Sequence, residues 1–77
     1  MTDSQRNCFM AVAEHSSFSK AAEALYVSQP AVSKNISTLE AELQVTLFDR
    51  QGKYVLLTKA GEILLSFLTE YNREYDA

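Results

Sequence analysis

The chain has 77 residues, 47% of them hydrophobic, and a formal net charge of −3. A chain this short builds one small domain that buries only ~60% of its unfolded surface, so a partner is expected to add to its stability. No apolar run approaches the ~20 residues needed to span a bilayer, the Met1-Thr2-Asp3 start lacks the charged and apolar regions of a signal peptide, and the lone Cys8 can form no internal disulfide, which together point to a cytoplasmic protein with no membrane partner.

Two glycines and one proline favour helices over a strand-and-turn design. Asp3 and Ser4 can cap a first helix in which Phe9, Val12 and Ala13 face inward, with Cys8 beside that stripe as a structural thiol, His15 in the last turn and Ser16-Ser17 closing it. Ser19 can cap a short second helix whose apolar positions Ala21, Ala22 and Leu25 fall at helical spacing, with Phe18 packing just before it and the Tyr26-Val27 link ending it. Ser28 is the next capping residue, and Pro30 sits in the first turn after it, where a missing N–H costs little. In this third helix, 28–43, Val32, Ile36, Leu39 and Leu43 recur as one buried stripe. Leu47-Phe48-Asp49-Arg50 and Tyr54-Val55-Leu56-Leu57 then flank Gln51-Gly52-Lys53, which predicts a β-hairpin with Arg50 and Lys53 bracketing its turn. Thr58 reads as the N-cap of a last helix running through Ala60, Ile63, Leu64, Phe67, Leu68, Tyr71 and Tyr75, and with Leu65 its apolar residues exceed what one docking stripe needs.

Opposite its stripe, the third helix carries Gln29, Pro30, Ser33, Lys34 and Ser37, with no carboxylate before Glu40. Placing that end against a polyanion uses the helix dipole, the free N–H groups and Lys34 together. Gln and Lys are able to read base edges in the major groove, and small residues let a backbone approach. This is the pattern of a helix-turn-helix whose second helix is the reader.

Five motifs appear in order: SF-x-x-AA around Phe18 and Ala21, VSQPAVS from Val27 to Ser33, LE-x-EL at Leu39 to Leu43, LFDR at Leu47 to Arg50, and LT-x-AGE at Leu57 to Glu62. With them the chain, from about Phe9 to Leu68, resembles the amino-terminal winged helix-turn-helix domain of LysR-type transcriptional regulators. The resemblance implies a fold that is mainly α with a small β-hairpin wing: a winged helix-turn-helix DNA-binding domain over 1–57 and a carboxy-terminal linker (dimerisation) helix over 58–77. It implies sequence-specific double-stranded DNA binding for transcriptional regulation, with reader helix 28–43 in the major groove, wing 47–57 beside it, and a homodimer on an inverted repeat. Gln29, Pro30, Ser33 and Lys34 then hold the base-reading positions. Lys20, Ser28, Ser37, Thr38 and Arg50 take the DNA backbone, Lys53 the wing tip, and Ile63, Leu64, Phe67, Leu68 and Tyr71 the dimer interface. The chain departs from the family pattern at Lys34, commonly arginine, at Ser37 and Thr38, often basic, and at Arg6 and Ser16, often leucine and glycine. The similar regulators are several times longer and carry an effector-sensing domain that this chain lacks, so an excised domain is expected rather than a naturally short relative, with no small-molecule effector site, cofactor or metal.

The charge is distributed unevenly. Residues 62–77 hold Arg73 against Glu62, Glu70, Glu74 and Asp76, whereas 19–61 hold Lys20, Lys34, Arg50, Lys53 and Lys59 against Glu23, Glu40, Glu42 and Asp49. The acidity lies in the tail, pointing away from DNA. The same acidic balance leaves open an alternative, a protein-interaction module that uses the fold to pair with or cap another regulator. An enzyme is not expected, because the sequence holds no phosphate-cradling Gly loop, no paired catalytic acids in a plausible pocket and no metal-ligand cluster.

Overall fold

A computed structural model describes residues 1–52 and 54–76, with side chains as far as Glu70. Along the described residues the elements run α1 (Asp3–His15), α2 (Phe18–Leu25), α3 (Gln29–Leu43), β1 (Phe48–Asp49), β2 (Leu56–Leu57) and α4 (Lys59–Asp76). No helix among them is long and apolar enough to cross a membrane.

Local side-chain chemistry starts each of the first three helices. The cap of α1 is Thr2 rather than Asp3 or Ser4: its hydroxyl accepts from the Gln5 N–H at 3.1 Å, while Gln5 Oε1 accepts from the Thr2 N–H at 2.9 Å. This reciprocal box satisfies two end donors, where an Asp or Ser cap one residue later would satisfy one. Asp3 falls instead in the first turn, where its charge suits the dipole and Arg6 lies 3.5 Å away. The cap of α2 is Ser17, accepting from the Lys20 N–H at 3.1 Å, so Ser19 lies inside the helix. Ser16 already ends α1, which leaves only Ser17 between the two helices. Ser28 caps α3 as expected, accepting from the Ala31 N–H at 3.2 Å.

The same three helices end alike. Ser16, Tyr26 and Gln44 adopt left-handed backbone, with φ of 52°, 59° and 57°. Each turns its N–H back onto a carbonyl of the last turn, Ser16 onto Val12 at 2.8 Å. A left-handed single residue reverses the chain within two or three positions, and for a non-glycine it costs roughly 1–2 kcal/mol.

The core lies between α1, α2 and α3 and is closed by the hairpin. Phe9, Val12, Ala21, Val32, Ile36 and Leu39 are fully buried. Phe48 brings β1 into the core, its ring centroid 5.3 Å from that of Phe9 and 6.1 Å from that of Phe18. The stripe of α3 stops at Leu39. Leu43, expected inside, is 45% exposed: it is the last residue of α3, next to the left-handed Gln44 that ends the helix.

The hairpin pairs Phe48 with Leu57 and Asp49 with Leu56, antiparallel. Its strands are two residues long, half of what the sequence predicts. Asp49 Oδ1 accepts from the Gln51 N–H at 3.0 Å and bends the chain early, and the Val55 N–H donates to the Ser16 carbonyl at 3.4 Å instead of crossing the hairpin. Thr58 fastens α4 to the other side of the strand. Its N–H donates to the Leu47 carbonyl at 2.9 Å, its hydroxyl donates to the Thr46 carbonyl, and the same oxygen accepts from the Gly61 N–H at 3.1 Å. Gly61 then sits against the strand so closely that a Cβ would run into the Leu47 carbonyl and come within 2.8 Å of Leu57 Cδ2.

Along α4, Ala60, Leu64 and Leu65 are half-buried and Leu68 is buried in the chain's own core, while Ile63 and Phe67 are 61% and 66% exposed. Leu64 and Leu68, four apart, share the docked stripe, and Ile63 and Phe67, also four apart, lie a helical step away. The expected partner face is therefore divided: Leu68 packs inward, and Tyr71 lies outside the described side chains.

Two substitutions test this geometry. Gly61→Ala should cost about 3 kcal/mol by forcing α4 off β1, read as a lowered midpoint in thermal denaturation. A melt within error of the parent would mean that the approach relaxes freely. Ser16→Gly should raise stability by about 0.5–1 kcal/mol, net of the entropy a glycine adds to the unfolded chain, and an unchanged or lower midpoint would refute the idea that left-handed strain is stored there.

Candidate nucleic-acid interface

The roll of α3 is set by its buried side. With Val32, Ile36 and Leu39 fully buried, Gln29, Pro30, Lys34, Ser37 and Thr38 are exposed and Ser33 is half-buried. Ser28 is exposed at the start of α3 and Lys20 near the start of α2. The structure thus gathers the expected base-reading set on the outer face of the first half of α3. Neither Lys20 nor Lys34 makes an ion pair among the described residues. No acid lies in the first turn of α3, so the helix dipole and Lys34 act with the same sign.

The inner side of that half is held by Asn35 and Cys8. Asn35 Nδ2 donates to the Ala31 carbonyl at 3.1 Å, and the Cys8 thiol lies against Asn35. Burial pushes the thiol pKa up, a change only partly offset by the hydrogen bond from Asn35. Cys8 thus remains a protonated packing group at neutral pH.

Two acids on α3 could oppose an approaching polyanion, and both are engaged elsewhere. Glu42 Oε1 accepts from Gln5 Nε2 at 3.3 Å, which joins the far end of α3 to the start of α1. Glu40 turns to the hairpin. Its Oε2 accepts from the Leu47 N–H at 2.7 Å and the Phe48 N–H at 3.3 Å, and its Oε1 lies 3.9 Å from Arg50 Nη2. A helix end and a strand start are thereby joined by one carboxylate. Nothing in the spacing of LE-x-EL and LFDR identified Glu40 as that clamp, since the two motifs meet only once Gln44 has turned the chain.

Arg50, expected at the DNA backbone, has its guanidinium carbon 4.2 Å from the centroid of the Phe18 ring, and its side chain is 41% exposed. Cation–π and ion-pair contacts at such a site contribute about 0.5–1 kcal/mol each at most. Lys53, expected at the wing tip, lies outside the described residues. One exposed residue was not singled out in the sequence. Tyr26, read there only as part of a link, is 95% exposed because its left-handed backbone carries it out of the turn between α2 and α3.

Residues 4–62 match the bacterial regulatory helix-turn-helix protein, lysR family. The chain belongs to the LysR family. It is 61% identical over 59 residues to an uncharacterised HTH-type transcriptional regulator in the ibpB-leuC intergenic region of Azotobacter vinelandii, covering 77% of this chain and 41% of that protein. It is 49% identical over 63 residues to a probable RuBisCO transcriptional regulator of Cyanophora paradoxa, covering 82% of this chain and 19% of that one. The chain thus spans less than half the length of these LysR-family relatives. Its fold matches the crystal structure of the BenM DBD in complex with catB site 1 DNA with a TM-score of 0.90 and 33% identity, over 99% of this chain and 84% of that one. The helices and hairpin described above are therefore the winged helix-turn-helix of LysR-family regulators.

The clamp is open to direct test. Glu40→Ala removes the acceptor of two partly buried N–H groups and should cost about 2–3 kcal/mol in urea unfolding. A loss below about 0.5 kcal/mol would place those N–H groups on water instead.

Proposed function

We propose that this chain binds double-stranded DNA sequence-specifically to regulate transcription, with α3 in the major groove and the hairpin as a wing beside it. One observation carries the reading: an acid-free, outward-facing first half of α3, rigidly held by three fully buried residues, that presents Gln29, Pro30, Ser33 and Lys34 together. Gln29 and Lys34 read base edges, and Pro30 and Ser33 let the backbone come close. Lys20, Ser28, Ser37 and Thr38 contact phosphates, and Lys53 is the wing's contact to DNA. Residues 1–57 form the DNA-binding unit and 58–77 the linker helix. Through that helix two copies pair across Ile63 and Phe67, with Leu64 at the edge, and present two reader helices to an inverted repeat. The work is done in the cytoplasm, and the chain is a regulator, not an enzyme.

Selection of bound duplexes from a random pool at moderate salt tests this reading. An enriched inverted repeat, its half-sites about 34 Å or a multiple apart, is the expected result. On the selected duplex Lys34→Ala should weaken binding by about 1–3 kcal/mol while leaving pairing through α4 unchanged. No enrichment by folded protein would favour instead a module that pairs with another regulator, for which the exposed Ile63 and Phe67 and the acidic tail are the support.

A further inference from the structure

Arg50 has two alternative uses in a DNA-binding chain, and the surroundings of its guanidinium distinguish them. A phosphate ligand needs a free charge at the end of a mobile arm. Here the guanidinium carbon lies over the Phe18 ring, 4.2 Å from its centroid, and its charge is opposed by Glu40 at 3.9 Å. Both partners belong to the helix-turn-helix: Phe18 is the first residue of α2, packed edge-on to Phe48, and Glu40 lies on α3 and also receives the Leu47 and Phe48 N–H groups. Arg50 itself immediately follows β1. A cation already matched by a carboxylate releases few counterions on meeting DNA. One held on an aromatic face by a second helix instead sets the angle at which the chain leaves the strand.

We propose that Arg50 is a positioning residue, a brace that fixes the wing against the reader helix through Phe18 and Glu40 and so acts on DNA affinity without touching phosphate. This rests on the DNA-binding reading above, and it makes opposite predictions from a phosphate contact. If Arg50 gripped phosphate, Glu40 would compete for it, and Glu40→Gln, whose amide oxygen still accepts from Leu47 and Phe48, would tighten binding or leave it unchanged. A brace loses its anchor in the same variant.

The test measures affinity of the whole chain for its selected duplex in Glu40→Gln, Arg50→Gln and the double variant, each checked for helix content. The expected result is roughly a three- to tenfold loss in each single variant and no further loss in the double, the signature of coupled residues. Equal or tighter binding by Glu40→Gln, or a double variant whose loss is the product of the two single losses, would overturn the brace. If Glu40→Gln does not fold, Phe18→Leu replaces it with the same criteria, since it removes the ring face and keeps an apolar side chain. Amide exchange at Val55 and Thr58, measured without DNA, separates this idea from the reading beneath it. Exchange several-fold faster in Arg50→Gln supports the brace even if no duplex is ever enriched, and unchanged exchange overturns it even if one is.

Discussion

The carboxylate of Glu40 joins the two parts on which everything else depends. It belongs to α3, yet its hydrogen bonds go to the Leu47 and Phe48 N–H groups at the start of the hairpin. Those groups lie at the start of β1 in partly buried space, and their bonds to an ionised carboxylate are charge-assisted and comparatively strong. With the strand start fixed there, Phe48 enters the core against Phe9 of α1 and Phe18 of α2. The hairpin is too short to stand alone. Two-residue strands persist because they are fastened to α3 by Glu40, to the end of α1 by the Val55 N–H, and to α4 by Thr58.

The helix connections are equally constrained. Three left-handed residues, none of them glycine, reverse the chain between successive elements with almost no loop. Short connections of this kind leave the helices little freedom of relative rotation, and the cost in backbone strain is compensated by the aromatic and aliphatic packing they make possible. Rigidity of this sort matters for reading DNA, because a base-edge contact is useful only if the backbone that carries it is already in register.

The overall acidity of the chain does not oppose this use. Glu40 and Glu42, the two acids on α3, are hydrogen-bonded to the start of the hairpin and to Gln5. Half of the remaining acids, Glu62, Glu70, Glu74 and Asp76, fall in the tail beyond Gly61. What counts for a polyanion is the local field within about a Debye length, ~10 Å, rather than the net charge of the chain.

Much of this was legible in the sequence. The order of four helices and a hairpin, the Ser28 and Thr58 caps, the buried Val32, Ile36 and Leu39 and the outward set from Gln29 to Lys34 follow from periodicity and local hydrogen-bonding chemistry, which act over a few residues. The cap of α1 was expected one or two residues late, at Asp3 or Ser4, because a capping box needs Thr2 and Gln5 to be considered together. Leu43 and Leu68 lie otherwise than expected for another reason, since a helical stripe reads as apolar up to the helix end whether or not its last residue is covered, and the same stripe can face a partner or the chain itself. Sequence alone therefore determined which segments are helical and which face of α3 is left outside the core. Only tertiary structure decided that Glu40 clamps the hairpin, that Arg50 stacks on Phe18 and that Gly61 must lack a side chain, because each depends on backbone from distant parts of the chain arriving within a few ångströms.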